Sequence, residues 1–133
     1  MKTISLDTNA YKKLLGGKDE GLLRAMERAD KVFLPVVVLG ELLAGFKGGS
    51  KEKINRDVLE KFLLKTSVEV LDIGRETAEV YGEVKNDLSK RGTPIPTNDL
   101  WIASQTIETG SVLITYDKHF LKIPGLRIWD RLK

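Results

Sequence analysis

The stretch Thr3-Ile4-Ser5-Leu6-Asp7 opens the chain with a short apolar run that ends on an acid. A second stretch, Val112-Leu113-Ile114-Thr115-Tyr116-Asp117, has the same pattern near the other end. Apolar runs of this length are typical of strands buried on both faces of a parallel sheet. In open α/β sheets, ligands bind beyond the carboxyl ends of the strands. The two runs therefore predict that Asp7 and Asp117 lie at one ligand-binding edge.

Strand and helix patterns alternate along the rest of the chain. Strands are predicted at Thr3–Leu6, Val32–Leu34, Val68–Leu71, Val112–Thr115 and Leu126–Trp129. Helices are predicted at Thr8–Leu15, at the apolar stripe formed by Leu22, Leu23, Met26 and Ala29, at Pro35–Ala44, after Ser50, at Arg75–Lys90 and at Asp99–Glu108. Ser50 is the expected N-cap of the fourth helix, and Thr97 or Asn98 that of the last. This alternation indicates a single α/β domain over residues 1–133, built on a parallel sheet.

Composition excludes several classes of protein. The chain has 133 residues, which fits one domain, and no cysteine, so disulfides, zinc–thiolate sites and thiol catalysis are excluded. The longest apolar stretch, Val32–Ala44, is interrupted and falls short of the ~20 residues that span a bilayer. Asp7 also comes too early for a signal peptide. We therefore expect a cytoplasmic protein without a membrane segment.

The charge distribution points to a polyanionic ligand. The formal charge is only +3, from 22 Lys and Arg against 19 Asp and Glu. If acids gather in one pocket, the remaining surface is more basic than this total suggests. An acidic centre within a basic surround suits metal-dependent chemistry on a polyanion. A merely solvated charged surface would have the same composition.

Two further acids extend the candidate site. Glu41 lies within the most apolar stretch, Val36–Gly45, and a buried carboxylate there needs a partner or a cation. Asp99 begins a predicted helix, where a cap or dipole role is an alternative, as a cap is for Asp7. Asp117 could instead form an Asx-turn. Four clustered carboxylates would repel one another unless cations occupy the site, and oxygen ligands favour Mg²⁺ or Mn²⁺. The sequence leaves open whether one or two metals bind.

Other hydrolytic chemistries lack the residues they need. His119 is the single histidine, so RNA cleavage by a pair of histidines is excluded. No Gly-x-Ser-x-Gly elbow, Walker loop or Gly-x-Gly-x-x-Gly motif follows a predicted strand. We expect His119 to be a surface or packing residue, and Trp101 and Trp129 to belong to the core or to an interface.

Four segments carry the acids in a recognisable order. They are Ile4–Asn9, Val38–Gly45, Pro96–Ala103 and Leu113–Phe120. Together they resemble the motifs of PIN-domain ribonucleases of the VapC toxin type, from bacterial and archaeal toxin–antitoxin pairs. The last segment resembles the family's Thr-x-Asp motif at strand four, with an aromatic residue, Phe120, three positions later. The resemblance covers nearly the whole chain.

The resemblance implies a PIN-domain, Rossmann-like three-layer α/β/α fold with a mainly parallel five-stranded sheet. It also implies a Mg²⁺- or Mn²⁺-dependent endoribonuclease that cleaves RNA phosphodiester bonds with metal-activated water. The metal and catalytic residues would be Asp7, Glu41, Asp99 and Asp117. The supporting positions would be Thr8, Asn9 and Thr115. The implied partners are an RNA substrate, a VapB-type antitoxin and a second copy of the chain in a homodimer.

Three other functions remain open at this stage. A phosphatase of the haloacid-dehalogenase type needs a second Asp two residues after the first, where this chain has Asn9. A non-enzymatic interaction domain could hold a cation in the same acidic cluster. An RNA-processing PIN nuclease without an antitoxin would carry the same four acids.

Overall fold

The structure, a computed structural model, describes residues 1–132. Its strands are β1 (Thr3–Leu6), β2 (Lys31–Pro35), β3 (Val68–Leu71) and β4 (Val112–Ile114). Its α-helices are α1 (Thr8–Gly16), α2 (Glu20–Arg28), α3 (Val36–Phe46), α4 (Glu52–Leu63), α5 (Arg75–Arg91) and α6 (Thr97–Thr109). Two 3₁₀ helices, Lys118–Lys122 and Asp130–Leu132, follow β4. The predicted α/β fold is confirmed.

The order of the strands creates a switch point beside β1. The sheet runs β3-β2-β1-β4 and every pair is parallel. Ile4 of β1 aligns with Val32 of β2 on one side and with Val112 of β4 on the other. The chain moves outward from β1 to β3, then returns through α5 and α6 to the far side of β1. Ligand crevices form at the carboxyl ends of strands where the order reverses in this way.

The central strand is covered on both faces. Successive side chains of a strand point to opposite faces, yet Ile4, Ser5 and Leu6 are all buried. Ser5 is polar, and its hydroxyl shares a 2.7 Å hydrogen bond with that of Ser111, which satisfies it in the core. Burial on both faces explains why β1 has no alternating solvent-exposed face.

Two predicted side-chain caps are wrong. Ser50 does not cap α4; Lys51 occupies the N-cap position without a side-chain hydrogen bond. The Glu52 carboxylate instead accepts a hydrogen bond from the backbone N–H of Gly48 (3.0 Å), which organises the preceding turn. Likewise, α6 begins at Thr97 with Pro96 at its N-cap, so neither Thr97 nor Asn98 has the capping role.

Prolines and glycines set other helix ends. Pro35 ends β2 and occupies the N-cap of α3, so the helix begins at Val36 rather than at Pro35 as predicted. Gly17 and Gly110 end α1 and α6 in the left-handed conformation, each with φ 65°. Glycine has no Cβ and adopts this conformation without strain, so both predicted stops are confirmed.

The predicted fifth strand is reduced to one bridge. Residues 126–129 pair with β4 only through a parallel bridge between Leu113 and Ile128. The backbone N–H of Leu113 donates to Arg127 (2.8 Å), and that of Trp129 donates to Leu113 (3.1 Å). The sheet therefore has four strands rather than five, because the segment has room for a single pairing between the Pro124–Gly125 turn and the last 3₁₀ helix.

The helices of residues 1–132 were compared with the requirements of a membrane-spanning helix. None of the helices there combines the length and the apolar character that a bilayer crossing needs.

Candidate active site

Asp7 lies at the carboxyl end of β1, where it also caps α1. Its Oδ1 accepts a hydrogen bond from the backbone N–H of Ala10 (2.8 Å), which is a helix N-cap contact. Its Oδ2 accepts a short hydrogen bond from the Thr115 hydroxyl. The residue is only 5% exposed. The capping alternative is thus confirmed, and the same carboxylate stands at the switch point.

Thr115 joins the ends of β1 and β4. Its buried hydroxyl donates to Asp7 and accepts from the backbone N–H of Asp117 (3.0 Å). Its carbonyl accepts from the indole Nε1 of Trp129 (2.7 Å), a residue that is buried in the core as expected. One side chain therefore fixes Asp7 relative to the backbone that carries Asp117.

Glu41 projects from α3 towards the start of α1 and α6. Its Oε1 accepts a 2.5 Å hydrogen bond from the Thr8 hydroxyl, and its Oε2 accepts a 3.3 Å bond from the Asn98 amide. The residue is half-buried, so the expected partner for this carboxylate is present. Asn9, by contrast, is exposed, and within residues 1–132 it bonds to none of the four carboxylates; its supporting role stays a prediction.

Asp99, Asp117 and His119 form the tightest group. The Nε2 of His119 lies 2.8 Å from Asp99 Oδ2, and its Nδ1 lies 2.8 Å from Asp117 Oδ1. Asp117 Oδ1 also accepts from the backbone N–H of His119 (3.1 Å), since Asp117 caps the 3₁₀ helix that follows. The side chains of Asp99, Asp117 and His119 are 23%, 43% and 24% exposed.

The prediction that His119 is a surface or packing residue is confirmed only in part. Its ring packs on Phe120, at 4.8 Å between centroids, but both nitrogens face carboxylates of the site. Asn98 was also missed as a partner of Glu41. Both residues lie close in sequence to predicted site acids, and this proximity was the available signal. Asn98 directly precedes Asp99. His119 comes two residues after Asp117, a spacing at which the first turn of a helix brings the two residues together.

The acids of the site repel one another, and this repulsion affects their pKa values. Burial raises the pKa of Asp7 above its ordinary value, and repulsion from Asp99 and Asp117 adds to that shift. The hydrogen bonds from Thr115 and Ala10 oppose it. Burial likewise raises the pKa of Asp99, with repulsion from Glu41 and Asp117 adding and the His119 contact opposing. Each acid therefore affects the ionisation of another, and a cation at the site would relieve the repulsion.

The donor set suits a divalent metal. One atom each from Asp99, Asp117 and His119 lies within 4.8 Å of the others, close enough to share an ion. Asp7 and Glu41 lie outside this group, and their oxygens already accept hydrogen bonds from Ala10, Thr115, Thr8 and Asn98. A cation shared by all four acids would use the remaining lone pairs of Asp7 and Glu41 or intervening water.

A groove leads away from the Glu41 side of the site. It has a volume of about 380 Å³ and is lined by Lys12, Leu15, Glu41, Leu42, Gly45, Phe46 and Asn55. Lys13, on the same helix as Lys12, lies 5.8 Å from the ring centroid of Tyr116, next to Asp117. The groove therefore places a lysine, an amide and apolar side chains beside the Glu41 carboxylate.

Comparison with known proteins agrees with this geometry. The family model described as the PIN domain matches residues 4–126. Ribonuclease VapC2 of Rickettsia felis is 31% identical over 82% of this chain and 82% of its own length. The tRNA(fMet)-specific endonuclease VapC of Salmonella typhimurium is 29% identical over 98% of both chains.

Solved structures have the same fold along nearly the whole chain. VapBC2 from Rickettsia felis, bound to a DNA fragment from its promoter, contains a chain with a TM-score of 0.84 and 28% identity, covering 96% of this chain and 99% of that one. VapBC-1 from nontypeable Haemophilus influenzae gives a TM-score of 0.87 and 28% identity, covering 98% and 99%. The chain belongs to the PIN-domain family and, within it, to the VapC ribonucleases.

Proposed function

We propose that this chain is a Mg²⁺- or Mn²⁺-dependent endoribonuclease, acting as the toxin of a VapBC-type pair. One observation carries the proposal: carboxylates follow β1 and β4 at the switch point of the sheet and are joined by Thr115. The chain would act as one PIN domain over residues 1–133, in the cytoplasm.

Metal binding would fall to the four acids. The proposed metal and catalytic residues are Asp7, Glu41, Asp99 and Asp117. When bound, the cation would lower the pKa of an attacking water and stabilise charge on the scissile phosphate. We propose that this cation is Mg²⁺ or Mn²⁺, because an oxygen-rich set of ligands favours these ions over softer metals.

The surrounding residues would hold this geometry and receive the substrate. Thr115 keeps Asp7 in place, and Thr8 together with Asn98 keeps Glu41 turned towards the site. Lys12, in the groove beside Glu41, would contact the RNA backbone. Asn9 is proposed as a further supporting position at the exposed start of α1.

A VapB-type antitoxin is the proposed partner, since two structural relatives were solved as VapBC complexes. An arginine from such a partner would pair with the carboxylates through its planar fork and occupy the place of the cation. Inhibition should then weaken when pocket-facing arginines of the partner become alanine, and high Mn²⁺ should partly restore cleavage. Full inhibition with all four carboxylates open would contradict this mechanism.

We also propose that the chain forms a homodimer, which would bring two acidic sites into one assembly. Light scattering at micromolar concentration tests this, and a monomer would count against it.

The function itself is tested with purified protein and total RNA. Initiator transfer RNA is a defined second substrate, because the relative from Salmonella is named for it. Cleavage should require Mg²⁺ or Mn²⁺ and stop with EDTA. Asp7→Asn and Asp99→Asn should abolish it while retaining the fold.

Asp57→Asn is the matched control, because that carboxylate lies on α4 with 61% of its side chain exposed. It should cleave at the wild-type rate. Cleavage that persists in EDTA would place the chemistry elsewhere. Metal binding without cleavage of any RNA would favour a non-enzymatic cation-binding domain.

A further inference from the structure

The site contains one nitrogen donor among its carboxylates. We infer that His119 is a direct ligand of the catalytic cation, and that this ligand makes the site discriminate in favour of Mn²⁺ over Mg²⁺. The inference rests on the proposed metal-dependent function and adds a residue, and a metal preference, to the four acids.

The direction of the His119 Nε2 atom supports its role as a metal ligand. This atom is buried and lies 2.8 Å from Asp99 Oδ2, yet no well-aligned N–H···O hydrogen bond joins the two atoms. The distance suits a hydrogen bond, so the alignment is what fails. Two donor atoms that bind the same ion point at the ion rather than at each other. In an octahedral shell with bonds of about 2.1 Å, adjacent donors lie ~3 Å apart, close to the separation seen here.

The surroundings of the other ring nitrogen, Nδ1, also fit a metal-ligating histidine. Nδ1 lies 2.8 Å from Asp117 Oδ1, which also accepts the backbone N–H of His119. Metal-ligating histidines characteristically turn their other nitrogen towards a carboxylate, which sets the tautomer and the ring orientation. Asp117 Oδ1 therefore lies beside the imidazole and accepts the backbone N–H of the same residue, while Oδ2 remains available to the cation.

The alternative is that the imidazole simply neutralises the two acids as a counter-ion. A ring serving that purpose would align an N–H with each carboxylate, because such charge-assisted hydrogen bonds are strong. Nε2 does not do so with Asp99, although the two atoms are close enough. The positions of His119 Nε2 and Asp99 Oδ2 therefore fit two ligands of a shared cation better than they fit an ion pair.

The consequence is a metal preference. Mg²⁺ takes oxygen ligands and gives up its waters reluctantly. Mn²⁺ also suits oxygen ligands, but as a first-row transition metal it accepts an imidazole nitrogen more readily than Mg²⁺ does. Removing the imidazole should weaken Mn²⁺ binding about 10-fold or more, since even residues that only support a ligand contribute about 10–100-fold. Mg²⁺ binding should change much less, so the ratio of the two dissociation constants should fall.

The test measures binding directly. Mn²⁺ and Mg²⁺ are titrated calorimetrically into the wild-type protein, His119→Asn and His119→Gln. Lys122→Gln is the matched control, because Lys122 is an exposed residue of the same 3₁₀ helix. Circular dichroism checks each fold. Pulsed EPR of the Mn²⁺-loaded wild type should show a coupling from a coordinated nitrogen, and Lys122→Gln should retain it.

The outcomes separate this inference from the proposed function. A selective loss of Mn²⁺ affinity and of the nitrogen coupling in both variants supports the inference. Unchanged Mn²⁺ affinity in folded variants, or no coordinated nitrogen in the wild type, overturns it while leaving the metal-dependent nuclease intact. If both variants fail to fold, the wild-type nitrogen coupling decides alone. A wild-type protein that binds neither metal overturns both proposals.

Discussion

The two halves of the acidic site are built differently. Asp7 and Glu41, the anchored pair, accept hydrogen bonds from four groups of the protein itself. Asp99 and Asp117, the open pair, face the imidazole of His119 and retain more exposure than Asp7. The anchored pair is therefore oriented before any cation arrives. The open pair accepts fewer hydrogen bonds from the protein, so more of its lone pairs remain for a cation.

This difference shows how a small domain can tolerate a cluster of like charges. Protein hydrogen bonds stabilise carboxylates that are turned inwards, as they do for Asp7, and partly offset the cost of burial. The open pair has less of this compensation. We therefore expect substitutions in the open pair to affect metal binding most, and substitutions around the anchored pair to affect stability as well.

The largest expected effect is that of Asp99→Asn in the open pair. Cleavage should fall about 100-fold or more, since loss of groups that merely support a ligand already costs about 10–100-fold. Saturating metal should stabilise the wild type by roughly 2.7 kcal/mol at 100 times the dissociation constant, and should do far less for the variant. Thermal melts with and without Mn²⁺ measure this difference.

Without metal the same variant should be more stable than the wild type at neutral pH. The raised pKa of Asp99 means that folding disfavours its charge, which Asn lacks. A metal-free variant that melts below the wild type would show that Asp99 is stabilised by the fold rather than strained by it.

Thr115→Val should have the next largest effect, through the anchored pair. It deprives the buried Asp7 carboxylate of a donor and leaves the Asp117 N–H without its acceptor, at a cost of about 1–3 kcal/mol. Cleavage should fall about 10–100-fold. Urea unfolding and initial rates measure both, and Thr115→Ser, which keeps the hydroxyl, should behave nearly as wild type. A loss in Thr115→Ser as large as that in Thr115→Val would contradict this assignment, because Ser keeps the hydroxyl.

Thr8→Val should have a smaller effect on the same pair. It removes the hydroxyl that donates to Glu41, but this carboxylate is half-buried and water can replace the bond. We expect a loss of about 0.5–1.5 kcal/mol in the free energy of unfolding and a smaller loss of cleavage than with Thr115→Val. If Thr8→Val proved more damaging than Thr115→Val, Glu41 rather than Asp7 would be the more strongly anchored acid.

The smallest effect is a pH dependence of the metal-free protein. The folded pKa values of Asp7 and Asp99 lie above the unfolded value of 3.8, so the folded state holds more protons within that window. The contribution of these groups to the free energy of unfolding should therefore decrease as pH rises through the window. Asp19 has a lowered pKa, chiefly because Tyr116 donates to it, so its contribution changes in a separate window below 3.8.

Urea unfolding at a series of pH values measures this slope. Asp7→Asn should reduce it, and saturating Mn²⁺ should reduce or reverse it, because a cation favours the ionised carboxylates. A free energy of unfolding that rises steadily with pH above 3.8, in metal-free protein, would contradict the assigned direction.

Much of the fold followed from local patterns in the sequence. The bounds of β1 and β3 were predicted as observed, and α5 was predicted to within one residue. Short apolar runs fix buried strands, and helical periodicity fixes the faces of helices, without reference to distant residues. Because parallel strands end at a common edge, the apolar runs before Asp7 and Asp117 were also enough to bring those acids together.

Only the tertiary structure decided how the site is completed. The contacts of Thr115 with Asp7 and of Asn98 with Glu41 join residues 108 and 57 positions apart, and local propensity carries no information about such pairs. The turn of His119 towards Asp99, and the reduction of the fifth strand to one bridge, depend in the same way on where the chain after β4 packs. The sequence by itself determined which acids are present and at which edge they lie. Long-range packing decided which of them the protein holds and which it leaves open to a cation.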